Sequence, residues 1–116
     1  MDRVLGENVV ATFTAVLERN VTLTDMLVTE PYEVAWAREA RIFVRTLDLS
    51  GRIEASAEIS PDGLFWMPEG TPPVALEQAG LLSFRLREFG HWLRIVLRMK
   101  GATPSARVIV YLALKE

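Results

Sequence analysis

The sequence predicts an all-β fold, a small antiparallel β-barrel of about six strands, formed by residues 1–116 as a single domain. Apolar and polar residues alternate with a period of two in several short segments, and turn-forming residues separate these segments. The chain has 116 residues, of which 50% are hydrophobic. This is enough for one buried core and too little for two.

The N-terminal segment, residues 1–35, is compatible with two kinds of secondary structure. Several of its apolar residues follow a helical spacing, but residues 9–17 are also rich in β-branched and alternating positions. A helix and a strand therefore both remain open for this segment. The residues of the helical stripe are Leu5, Val9, Phe13, Val16 and Leu17.

A β-hairpin is expected after this segment. Residues 41–49 and residues 52–60 both alternate between apolar and polar side chains. Ser50 and Gly51 separate them, and such a pair is typical of the tight turn between two antiparallel strands. One face of the hairpin would carry Ile42, Val44 and Thr46 from the first strand and Ile53, Ala55, Ala57 and Ile59 from the second.

A turn, a short strand and a helical connector are expected next. Pro61 and Gly63 indicate the turn, since proline presets φ and glycine supplies the positive φ that a reversal of the chain needs. Residues 64–67 are all apolar, which fits a buried strand. Residues 71–80 begin with threonine and two prolines and end in glycine, which favours one or two helical turns.

The C-terminal part of the chain predicts three further strands. Residues 82–87 and 93–99 alternate on either side of a turn at Gly90, and residues 108–114 alternate after a loop. The apolar residues between 82 and 96 also fit a helical spacing. The central glycine and the β-branched residues that follow it favour strands instead.

The composition excludes several functional classes. The chain has no cysteine and one histidine, His91, which removes thiolate metal sites and cysteine nucleophiles and leaves little for a catalytic triad. A formal net charge of −2 gives no overall attraction to nucleic acid or anionic lipid. No apolar run reaches the roughly 18 residues of a membrane span. We therefore expect a cytoplasmic, non-enzymatic protein without metal, cofactor, nucleic-acid partner or membrane span.

Residues 58–65, with the sequence EISPDGLF, resemble a motif of the PilZ domain, which is a small β-barrel. The family carries Asp/Asn-x-Ser-x-x-Gly at the end of a strand, commonly followed by an apolar pair. In this chain Glu58 takes the acidic place, Ser60 the serine place and Gly63 the glycine place. The resemblance implies that the strand end at this motif faces a ligand.

The PilZ family also has an Arg-x-x-x-Arg motif just before the strand that pairs with this one. Arg38 and Arg41 lie at that place, with one residue fewer between them than in the family. The resemblance covers residues 36–114 as a PilZ-like barrel and leaves residues 1–35 outside it.

The resemblance implies a receptor for cyclic diguanylate, a bacterial second messenger. Arg38 and Arg41 would clamp its phosphates and guanines, because guanidinium groups fork onto both. Glu58, Ser60 and Gly63 would form the opposing wall, with Gly63 at positive φ. The alternative is a degenerate module that acts as a protein–protein adaptor without binding the nucleotide. The apolar surface residues of this adaptor would be Trp36 and Phe43.

Overall fold

The computed structural model describes residues 12–86 and 89–116, which form eight strands of one antiparallel sheet. These two ranges contain no helix. The all-β prediction is therefore confirmed. The strands are β1 (Thr12–Leu23), β2 (Met26–Val28), β3 (Tyr32–Glu33), β4 (Glu39–Ser60), β5 (Met67–Pro68), β6 (Val74–Leu76), β7 (Gly80–Leu86) and β8 (Trp92–Lys115).

The long strands β4 and β8 form the centre of the sheet. They pair antiparallel along their whole length, from Glu39 opposite Lys115 to Ser60 opposite Trp92. The second half of β8 also pairs with β1, and its first half pairs with β2 and β3. The first half of β4 also pairs with β7, and its second half pairs with β5 and β6. Each long strand therefore contributes to two different halves of the sheet.

Both long strands bend near their midpoints, at Gly51 and Gly101. The φ angles there are +90° and +135°, in a region that disfavours residues with a Cβ atom. The pairing register between the two strands shifts at the same place, between Ser50 and Arg52. The buried hydrophobic residues of β4 have even numbers before the bend and odd numbers after it: Ala40, Ile42 and Val44, then Ile53, Ala55 and Ala57.

The bend folds the sheet into a sandwich of two layers. The Val34 N–H donates to His91 O at 2.7 Å, and the Arg38 N–H donates to Lys115 O at 2.8 Å. One short segment therefore contacts both ends of β8, which lie close together at the open end of the sandwich. We call the half with β1 and β7 layer 1, and the half with β2, β3, β5 and β6 layer 2. The buried side chains of both layers form one hydrophobic core.

Three predictions about the architecture are wrong. Ser50 and Gly51 do not reverse the chain, because β8 pairs with β4 on both sides of them and the positive φ of Gly51 bends a continuous strand. Residues 74–76 form β6, paired with residues 53–55, where a helical connector was expected; the two prolines before them suit an extended chain. The sheet is not closed into a barrel, because the described edge strands β1 and β7 do not pair with each other.

The strand predictions for the two ends of the chain have separate outcomes. Residues 12–23 form β1, so the strand alternative is correct for the described part of the N-terminal segment. Residues 1–11, which include Leu5 and Val9 of the helical stripe, lie outside the described residues. Residues 80–86 and 92–115 are strands, as the alternation favoured, but the loop expected before residue 108 is wrong, because those residues continue the single strand β8.

Candidate functional site

The five residues identified in the sequence do not lie on one surface. Arg38 and Arg41 belong to layer 1, whereas Glu58, Ser60 and Gly63 belong to the end of β4 in layer 2 and the turn after it. Arg41 and Glu58 both alternate with buried residues and point away from the core. They therefore lie on opposite outer faces of the sandwich, whose layers are about 10 Å apart.

Glu58 is paired with Arg94 on the neighbouring strand. Its Oε1 atom lies 2.7 Å from Arg94 Nε and 2.6 Å from Nη2. The same guanidinium lies 4.2 Å from the ring centroid of Trp66, which is a cation–π distance. The Glu58 carboxylate was expected to accept hydrogen bonds from guanine. Instead it binds Arg94, and this pair connects β4, β8 and the segment before β5.

Hydrogen bonds from two side chains build the turn after β4. Ser60 Oγ accepts from the N–H groups of Gly63 at 2.8 Å and Asp62 at 3.2 Å, and donates to Asp62 Oδ1 at 3.0 Å. Asp62 Oδ1 also accepts from the N–H groups of Leu64 at 2.8 Å and Phe65 at 3.2 Å. These two backbone bonds are the main reason that the pKa of Asp62 is lowered. Gly63 has φ of +80°, so the predicted positive φ is confirmed.

The apolar run after this turn is exposed, and the buried strand predicted for residues 64–67 is wrong. Leu64 is 76% exposed, Phe65 77% and Met67 59%. The physical reason lies in the turn itself, because Asp62 holds the two amides that follow it and directs this segment away from the core. Of the segment from residue 64 to residue 68, only residues 67 and 68 pair with β4.

A cleft lined by aromatic side chains lies at the open end of the sandwich. It has a volume of about 490 Å³ and is lined by Phe13, Pro31, Tyr32, Glu33 and Trp36. Phe13 is 45% exposed and Trp36 is 41% exposed. Several large, exposed rings around one concave region are typical of a binding site, whereas apolar residues scattered singly over a protein surface are common and need no explanation.

The two layers position the rings of this cleft. Phe13 lies on β1 opposite Leu114, and Tyr32 lies on β3 opposite Leu93. Both partners are buried, so the two rings point into the space between the layers. Their centroids are 6.0 Å apart with an angle of 22° between the planes. Trp36 comes from the segment that crosses from layer 2 to layer 1.

Glu33 supplies the charged group of the cleft. Its Oε2 atom accepts a hydrogen bond from the Ala35 N–H at 2.9 Å, which fixes the carboxylate against the crossing segment. Among residues 12–86 and 89–116, no hydrogen-bond partner satisfies the second oxygen, Oε1. The cleft therefore combines an apolar, aromatic lining with one fixed acceptor, which is the usual composition of a small-molecule site.

The sequence contained only one signal for this cleft. Trp36 was expected to be an exposed apolar residue of an adaptor, and it is exposed. Phe13 fell in the segment with undecided secondary structure, and Tyr32 fell outside the PilZ resemblance. The three rings meet only because β8 bends and brings its ends together, which no local pattern indicates.

The described part of the chain contains no group of three or more His, Cys, Asp or Glu side chains placed to hold a metal ion. It also contains no helix with the length and apolar character needed to cross a membrane.

No protein-family model matches the sequence, and no curated protein matches it either. Several solved structures resemble the fold, among them the following three. The PBSX exported protein XepA has a TM-score of 0.68 at 12% identity, over 88% of this chain and 36% of XepA. The SPBc2 prophage-derived protein YomS has a TM-score of 0.63 at 7% identity, over 94% of this chain and 96% of YomS. PirA has a TM-score of 0.51 at 11% identity, over 89% of this chain and 92% of PirA.

These structures show a shared fold and correct the family assigned from the motif. They belong to a different all-β fold family from PilZ, so the PilZ resemblance is wrong. The function drawn from it, a cyclic diguanylate receptor with a degenerate adaptor as the alternative, is wrong with it. The motif misled because Ser60 and Gly63 are turn-forming residues whose hydrogen bonds are made within the turn. This chain spans about a third of XepA and nearly all of YomS and PirA.

Proposed function

We propose that this chain is a non-catalytic carbohydrate-binding module that holds a neutral oligosaccharide in the aromatic cleft. The observation that carries the proposal is the convergence of Phe13, Tyr32 and Trp36 with the Glu33 carboxylate in one open cleft of about 490 Å³. This volume lies within the usual range for small-ligand sites, about 300 to 1,000 Å³.

The arrangement of the rings favours a sugar over an organic cation. A quaternary ammonium group needs several ring faces around it within about 6 Å. Here Phe13 and Tyr32 stack on each other, so part of their faces is already covered. What remains is a wide, open platform, against which the C–H face of a pyranose ring can pack, while Glu33 accepts a hydrogen bond from a hydroxyl or acetamide N–H.

The charge of the cleft favours a neutral sugar. Glu33 is the charged residue among those that line the cleft. An acidic sugar would bring a second negative charge beside this carboxylate, and like charges at short range repel. Neutral hexoses and N-acetyl amino sugars are therefore the expected ligands.

The names of the fold neighbours bear on where such a ligand would be met. XepA is described as an exported protein and YomS as prophage-derived. A phage-derived binding module would meet cell-surface glycans outside the cytoplasm, whereas the composition led us to expect a cytoplasmic protein. Cell fractionation with an antibody against this chain decides between the two locations.

A glycan array followed by calorimetry tests the proposal. We expect binding to neutral glycans, with N-acetylchitotriose as the defined probe for calorimetry. Trp36→Ala should weaken the binding at least tenfold, or about 1.4 kcal/mol, because it removes the largest ring of the platform. Phe65→Ala is the matched control, since it removes an exposed aromatic ring that does not line the cleft.

Two results would contradict the proposal. One is an array on which no neutral glycan binds the wild-type protein. The other is an equal loss of affinity in Trp36→Ala and Phe65→Ala, which would mean that binding is general adhesion to exposed rings.

A further inference from the structure

We propose a second site, an oxyanion site on the outer face of layer 1, separate from the aromatic cleft. A hollow of about 170 Å³ lies on this face, and Arg41, Arg85 and Lys115 line it together with Ala113. The ligand class that fits these groups is a phosphate or another small oxyanion.

The pairing of three strands creates the hollow. Arg41 of β4 lies directly opposite Arg85 of β7 on one side and opposite Ala113 of β8 on the other. The side chain of Ala113 is short, whereas the next outward residues along these strands, Phe43 and Tyr111, are large and form a pair of their own. A depression therefore remains above Ala113, with cationic side chains around it.

Among the described residues, no ion pair neutralises the three cations of the hollow. These cations are Arg41, Arg85 and Lys115, and Glu39 is the acid among the lining residues. Arg41 Nη1 donates to Ser83 Oγ at 2.8 Å, which orients the guanidinium without neutralising it. Like charges directly opposite each other on a sheet destabilise it, so a bound anion would relieve a repulsion that the strand pairing imposes.

Other arginines of the sandwich pair with carboxylates of the protein, unlike those of the hollow. On layer 2, Arg52 pairs with Glu54 at 3.1 Å and with Glu77 at 2.7 Å, and Arg94 pairs with Glu58. Arginine is the side chain that forks onto phosphates and carboxylates, and on layer 2 the protein supplies the carboxylates itself. On layer 1 Asp48 pairs with Arg107, but among the described residues no carboxylate forms an ion pair with the three cations of the hollow.

Thermal unfolding in phosphate and in chloride at matched ionic strength tests the site. Wild-type protein should unfold about 5 °C higher when inorganic phosphate is present at about ten times its Kd. Arg41→Ala and Arg85→Ala should lose this response. Arg107→Ala should keep it, because Arg107 is an exposed arginine that pairs with Asp48 at 3.0 Å and lies outside the hollow.

Two additional measurements separate a built site from general charge effects. Ala113→Leu fills the hollow without changing any charge, and it should abolish the phosphate response while the protein still unfolds cooperatively. In chloride, Arg85→Ala should unfold at a temperature no lower than wild type, because it removes a like-charge contact. A phosphate response of equal size in all variants would overturn the proposal, and so would the absence of a response in wild type or a destabilised Arg85→Ala in chloride.

A further variant, tested with polyphosphate, distinguishes a site for a free anion from a site for the phosphates of a polymer. Arg45 lies on the same face, four residues along β4 from Arg41, or about 13 Å. A polyphosphate chain would reach both arginines. If the ligand is a polymer, Arg45→Ala should therefore weaken the binding of polyphosphate several-fold. The response to inorganic phosphate should stay unchanged in this variant. Equal affinity of wild type and Arg45→Ala for polyphosphate would assign the site to a free anion.

Discussion

Gly51→Ala should be among the most destabilising single-methyl additions in this protein, because the two-layer fold depends on the bend at Gly51. Its φ of +90° disfavours any residue with a Cβ atom. A Cβ built there would lie 2.5 Å from the carbonyl oxygen of Lys100 and 3.3 Å from Pro104 Cβ. The backbone of the partner strand would have to move, and it would move at the point where the two long strands change register.

The size of the effect follows from two separate terms. The positive φ costs about 1–2 kcal/mol for an alanine. The clash with a backbone atom adds about 1–3 kcal/mol, the usual cost of forcing extra volume into a packed region. We therefore expect Gly51→Ala to lower the free energy of unfolding by about 2–5 kcal/mol, a large part of the 5–15 kcal/mol that is typical of whole domains.

Gly70→Ala is the matched control for this prediction. Gly70 has φ of +113°, but a Cβ built there would have no atom within 4 Å. This variant should show only the first term, about 1–2 kcal/mol. Urea unfolding of the three proteins measures the difference. Equal losses in the two variants would refute the reasoning, because they would show that the approach of Lys100 to Gly51 does not contribute.

Two further predictions concern the turn after β4 and the core. The pKa of Asp62 is lowered, so its carboxylate stabilises the fold at pH values above the ordinary pKa of 3.8, and this contribution is lost as the pH falls through the native pKa. The stability advantage of wild type over Asp62→Asn, measured by urea unfolding, should therefore disappear in acid. An advantage independent of pH would contradict the assigned hydrogen bonds. Leu112→Ala should cost about 2–5 kcal/mol, because Leu112 is fully buried in layer 1, whereas Leu64→Ala should stay within about 0.5 kcal/mol in the same assay, because Leu64 is 76% exposed.

The strands were predictable where the alternation of side chains is local. Ile42 and Val44 in one segment and Leu93 and Ile95 in another face the core as their period of two indicates. The turn at Gly63 was also predictable, since serine, proline, aspartate and glycine each favour that conformation for a known reason. These features depend on residues that are neighbours in sequence, so they can be predicted from the sequence alone.

The architecture was not predictable, because its main determinants are contacts between distant segments. A serine–glycine pair indicates positive φ, but only the position of β8 determines whether the chain reverses or bends at Gly51. The run at residues 64–67 is apolar, and its exposure follows from hydrogen bonds that start at Asp62. Unrelated folds can contain the same motif of turn-forming residues, because each of these residues favours a turn on its own. The PilZ resemblance was wrong because it depended on such a motif.

The aromatic cleft depends on the bend in the same way, whereas the hollow at Arg41 depends on strand register. Phe13 and Tyr32 are neighbours only because Leu114 and Leu93, their partners on β8, lie at the two ends of a folded strand. Arg41 and its partner across the sheet are separated by more than forty positions in sequence and are paired by register alone. The sequence led to the expectation that Arg41 binds an anion, from the chemistry of its side chain, but it contains no information about the residues beside it.

The indole N–H signals of the three tryptophans give the most direct test of carbohydrate binding in the aromatic cleft. Trp36 lines the cleft, whereas Trp66 contacts Arg94 and Trp92 lies beside Gly63. In a titration of ¹⁵N-labelled protein with N-acetylchitotriose, the Trp36 signal should shift and saturate while the other two stay in place. A titration in which the Trp36 signal does not move, or in which the Trp66 or Trp92 signal moves in its place, would contradict the account.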